Sequence, residues 1–155
     1  MLTLKEEAEY QRLALAMGLT DIDSVVAWAD QKIVSLPEPP IQVIDVSLTG
    51  SRPAHAVMEL LAQFPGNGDL TTVAHQVLAL FRQRFLKGDV PVALAVDQLS
   101  AYSNRATIPR GEWAEVCDFR LYFFEIQEGI YGTLDHLKEH IMTFANKYAG
   151  KPLPA

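Results

Sequence analysis

Between His136 and His140 the chain reads H-L-K-E-H, two imidazoles four residues apart with the Glu139 carboxylate between them. On a helix this spacing turns both rings to one side, where they could ligate one metal ion while Glu139 acts as the base of a hydrolytic reaction. The surrounding pattern argues for a plainer role. Leu134, Leu137, Ile141, Phe144 and Tyr148 form the apolar stripe of this segment, which leaves His136 and His140 on its flank beside Lys147, as a solvated pair. They stand as weak metal candidates, and the favoured reading has no metal and no cofactor.

The order H-x-x-E-H resembles that of the inverzincin metallopeptidases, much larger enzymes that take a third, acidic ligand from far downstream. Only fifteen residues follow His140 and none is Asp or Glu, so the resemblance ends after five residues. A hydrolase built on His136, Glu139 and His140 would need its third ligand from elsewhere in the fold, for example Asp118 or His75. No dinucleotide fingerprint, P-loop, nucleophile elbow or EF-hand loop is present, so catalysis has no other anchor in the sequence.

The remaining chemistry-bearing residues are isolated. Cys117 is the only cysteine, which rules out an intrachain disulfide and a cysteine-based zinc ribbon, and it is expected to be a buried, inert thiol. His55 and His75 project away from the apolar stripes of their segments and are expected at the surface. Arg120 and Glu128 fall within the apolar arc of the segment 109–132. A buried charge needs a partner or partial solvation, so these two are the first candidates for a polar binding site.

The segments that carry these residues are helical in pattern. Apolar positions recur at spacings of three and four, separated by Gly, Pro and capping residues. The spacing predicts a helix over about 3–17 ended by Gly18, and a second from the caps of TDIDS to Leu36, ended by Pro37. Residues 41–48 fit a short strand or a short helix, and Pro40 in a first turn favours the helix. Further helices are expected from Pro53 to Phe64, from the Asp69 cap to about Lys87, and from an Asp89 cap, with Pro91 in the first turn, to about Ser103.

The longest helix is expected in 109–132, with one apolar face of Trp113, Cys117, Leu121, Phe124 and Tyr131 and another of Val116, Phe119, Phe123, Ile126 and Ile130. Two such faces predict a central helix surrounded by neighbours. Thr133 caps a last helix over about 134–148. The expected fold is all-α: one domain, 1–150, forming a multi-helix bundle or short stack of helical hairpins with seven or eight helices, then a short tail, 151–155.

Thirteen basic residues against nineteen acidic ones give a formal charge of −6, which disfavours phosphate backbones and anionic membranes as partners. Arg82, Arg84 and Lys87 crowd one helix end, where they complement the helix dipole. No stretch approaches the roughly 18 apolar residues of a membrane span, and no leader pattern opens the chain. The expectation is a cytoplasmic protein.

Residues 18–50 resemble a pattern in small uncharacterised bacterial proteins, carried here by Gly18, Leu19, Trp28, Ala29, Asp30, Pro39, Pro40, Ile44, Asp45, Ser47 and Leu48. The resemblance implies a bacterial source and carries no activity. By their chemistry, Trp28 would pack the second helix while Asp30 and Asp45 cap or pair; a concave site of Trp28, Asp30 and Asp45 is the functional alternative. The sequence favours a non-catalytic protein-protein interaction module, an adaptor or immunity-type protein with an acidic surface. The alternatives are the small metal-dependent hydrolase and a self-associating structural protein, that is, a homo-oligomer.

Overall fold

Seven of the eight helices described start at a capping side chain or directly after a proline. Thr3 accepts a hydrogen bond from the Glu6 backbone while Glu6 reaches back to the Thr3 backbone, a capping box that opens α1 (Leu4–Ala16). Asp21 caps α2 (Ile22–Ser35) by accepting from the Ser24 N–H. Four helices follow directly on proline: α3 (Ile41–Ser47) on Pro40, α4 (Ala54–Ala62) on Pro53, α6 (Val92–Arg105) on Pro91 and α7 (Arg110–Gln127) on Pro109. Pro40 and Pro91 therefore stand one residue ahead of the first turn, with extended backbone, and Asp89 is not the cap of α6. α5 spans Leu70–Leu86, and Thr133 caps α8 (Leu134–Tyr148).

The computed structural model describes residues 1–151 and 153. Of the expected tail 151–155, Pro152, Pro154 and Ala155 lie outside the described residues. Among the described residues all regular structure is helical, in eight helices, and residues 41–47 are helix rather than strand. No described helix is long and apolar enough to cross a membrane.

The helices group into two compact units, Met1–Asp69 and Leu70–Ala155, four helices in each, with the boundary at the Gly-rich turn after Phe64. In the first, α1 packs on α4 and α2 on α3, with α3 also against α4. Its core gathers Ala8, Val25, Ala29, Val43, Val46, Val57, Leu61 and Phe64, flanked by the half-buried Trp28. Glu6 ties the start of this unit to its end: its carboxylate accepts from the Thr3 and Asp69 N–H groups, which hold its pKa below the ordinary range. A side chain at Gly68 would collide with Glu6, so the close approach requires glycine there.

In the second unit α6 packs on α7, and α8 lies against α5 and α7. Phe81, Phe85, Leu99, Tyr102, Leu137 and Ile141 are among its fully buried large side chains, and Phe119 of α7 meets Phe144 of α8 edge-on at 5.5 Å. α7 is not the central helix its two apolar faces predict, and it ends at Gln127 instead of 132, because Gly129 turns left-handed just beyond it. α7 buries only Glu112, Val116 and Phe119, while Trp113, Cys117, Leu121, Phe124, Ile130 and Tyr131 are exposed. Periodicity placed Trp113, Cys117, Leu121 and Phe124 on one face correctly, but no element of the unit covers that face.

Candidate functional site

The solvent-facing side of α7 and the groove it forms with α8 are the most chemically distinctive surface of the second unit. Positions 113, 117, 121 and 124 recur every three or four residues, so Trp113, Cys117, Leu121 and Phe124 stand in a row along the helix. Leu121 is 59% exposed and Phe124 53%, values that a core-facing row would not show.

Local sequence also builds the turn at the end of the row. The Gly129 N–H donates to the Ile126 carbonyl and the Ile130 N–H to the Glu125 carbonyl, with Gly129 at φ 67°, a paired arrangement that closes a helix through a left-handed glycine. The chain then folds back so that Tyr131 meets the Tyr122 ring edge-on, with centroids 6.0 Å apart. Gly132, at φ 86°, lies so close to Tyr122 that a Cβ would come within 2.5 Å of its hydroxyl.

Between α7 and α8 these residues line a groove of about 590 Å³. α7 contributes Glu115, Asp118, Leu121, Tyr122 and Glu125; α8 contributes His140, Thr143 and Lys147; Tyr131 closes one end. His140 stacks on Tyr122 with centroids 5.8 Å apart. Lys147 pairs with Glu115 at 3.2 Å and lies over the Tyr148 ring, 4.8 Å from its centroid. Hydrogen bonding to Tyr148, and then to Glu115, holds the Lys147 ammonium above its ordinary pKa. Asp118 and Glu125 have no ion-pair partner among the described residues.

A second polar cluster is buried beneath α7. Glu112, in its first turn, is 1% exposed. Tyr102 Oη of α6 donates to one Glu112 oxygen at 2.5 Å, and Nε2 of His75 on α5 lies 2.7 Å from the other. Burial, and then the bond to Glu112, push the Tyr102 phenol pKa up. The His75 carbonyl in turn accepts from the Gly150 N–H. The cluster braces three helices, with a carboxylate too enclosed to meet a substrate. His75 is thus half-buried and engaged, not the free surface residue expected.

Arg120 is exposed and donates to Ser100 Oγ at 3.1 Å, while Glu128 is the exposed C-cap of α7, so neither is a buried charge. The arc they share is the exposed one, and water solvates them. Trp28 packs on Phe64 with centroids 5.8 Å apart, and its indole N–H points to Glu7. Asp30 accepts from Ser47 across the α2–α3 contact, and Asp45 is exposed on α3. His136 and His140 are both exposed, and among the described residues no three His, Cys, Asp or Glu side chains are placed to hold one metal ion. Cys117, expected to be buried, is exposed.

Glu112, Tyr102 and the groove were missed. For Glu112 a signal existed: it lies four and seven residues before Val116 and Phe119, on the buried arc of α7. The chain matches no protein-family model, no curated protein and no solved structure.

Proposed function

We propose that this chain is a non-catalytic interaction protein, an adaptor or immunity-type protein of the bacterial cytoplasm, that meets its partner protein through α7 and the adjoining groove. The observation that carries the reading is the uncovered row Trp113, Cys117, Leu121 and Phe124 on a well-formed helix, extended past its end by the exposed Ile130 and Tyr131. Contiguous exposed apolar surface is uncommon on proteins that work alone, and aromatic anchors dominate the energetics of protein interfaces.

The test is affinity capture of the tagged full chain from the cells that make it, beside a Leu121→Glu/Phe124→Glu variant, with mass spectrometry after a moderate salt wash. A stoichiometric protein retained by the wild type and lost from the folded variant is expected. Equal capture by both, or turnover of a small molecule without any protein partner, would count decisively against this reading.

A further inference from the structure

We infer that the partner segment is a basic amphipathic helix that lays its apolar face on the α7 row and directs a lysine or arginine into the groove between α7 and α8. This deepens the interaction reading and rests on it. The exposed positions Arg110, Ala114, Cys117, Leu121, Phe124 and Glu128 are separated alternately by four and three residues. That is the spacing of a helix-pairing seam, in which a second helix keeps contact over several turns.

The two flanks of this seam differ. On one side stand Trp113, Arg120 and Gln127; on the other stand Asp118 and Glu125, which open into the groove. Leu121 belongs to both row and groove, so an apolar contact on the row leads directly to the carboxylates. Inside, Lys147 is already tied to Glu115, whereas Asp118 and Glu125 have no ion-pair partner among the described residues. Tyr122 and Tyr131 add aromatic surface beside these carboxylates. Carboxylates next to tyrosine rings suit an ammonium or guanidinium group, which gains both an ion pair and the ring quadrupole.

A second copy of the chain fits less well. Antiparallel pairing of two α7 helices sets Arg110 against Glu128, but it also brings the two Asp118 side chains together and the two Arg120 side chains together. Parallel pairing instead opposes Arg110 to Arg110 and Glu128 to Glu128. Like charges meet in either orientation, which disfavours self-pairing.

The experiment uses the full-length protein and two labelled peptides with one leucine face, one bearing lysine on its polar face and the other glutamine, followed by fluorescence anisotropy. The lysine peptide is expected to bind about tenfold more tightly, with the preference shrinking as salt is raised. Asp118→Asn/Glu125→Gln should erase the preference and leave the glutamine peptide unchanged, while Leu121→Glu should weaken both. Equal binding of the two peptides, or a preference that survives the double variant, overturns the groove assignment and leaves the interaction reading standing. Failure of both peptides overturns it too, and the capture experiment then decides whether the row itself binds anything. Light scattering that shows a dimer dissolved by Leu121→Glu would place a second copy on the row and overturn the basic-helix inference.

Discussion

Tyr102, Glu112 and His75 show how a charge is accommodated inside this chain. Both carboxylate oxygens are engaged, by a phenol at 2.5 Å and an imidazole at 2.7 Å, so the enclosed glutamate retains hydrogen bonds in place of water. Tyr102→Phe removes one partner without changing shape and leaves a buried oxygen unsatisfied. It should cost about 1–3 kcal/mol in a urea unfolding titration. The same residue gives a pH signature. The folded phenol pKa is raised above that of the unfolded chain, so its contribution is full below about pH 10, where unfolded tyrosine titrates, and falls as pH rises beyond it. Stability measured from pH 9 to 11 should decline in the wild type, with a shallower slope in Tyr102→Phe; equal slopes would assign the decline to other groups.

At the scale of elements, α7 separates helix formation from helix burial. Its row of Trp113, Cys117, Leu121 and Phe124 has the periodicity of a core face, yet the core of its unit is met by Glu112, Val116 and Phe119 on the other side. Leu121→Glu and Phe124→Glu should therefore each change stability by no more than about 0.5 kcal/mol, where a buried leucine or phenylalanine would cost several. Thermal melts of the two variants check this, and a large loss would show that the row is covered after all. The turn that follows is more demanding. Gly132→Ala combines a left-handed backbone with a Cβ crowding Tyr122, and should destabilise by about 1–2 kcal/mol or more. It should also shift the Tyr122 ring resonances, because the added Cβ would displace that ring.

On the scale of the whole chain, charge is divided unevenly. Residues 1–69 hold ten acidic and four basic side chains, whereas residues 70–155 hold nine of each, so the net charge of −6 belongs to the first unit. The carboxyls whose pKa is lowered, Glu6 by the Asp69 and Thr3 backbone and Asp21 by the Ser24 backbone, are also in that unit. A carboxyl with a depressed folded pKa contributes stability above its unfolded value and loses that contribution as pH falls through the folded one. Hydrogen exchange at about pH 3–4, below the ordinary carboxylate range, should show amides of residues 1–69 losing protection before those of 70–151. The opposite order would mean that these carboxylates do not govern acid stability.

The helices and most of their ends were legible because the signals are local. Thr3, Asp21 and Thr133 cap with their own side chains, Gly18 admits a left-handed backbone, and proline precedes a helix through its fixed φ, whereas the stop at Gly129 went unread and the expected helix ran on to 132. Even the ambiguous 41–47 segment was resolved by its preceding Pro40. Tertiary structure alone decided which apolar face of α7 is covered, that Glu112 lies between residues ten positions before it and thirty-seven before it, and that Asp118, Tyr122 and His140 share a groove. Periodicity reports which side chains share a face; it carries no information about which element, if any, lies opposite. That neighbour is chosen by contacts between residues far apart in the chain, and for the row on α7 the fold leaves the position open.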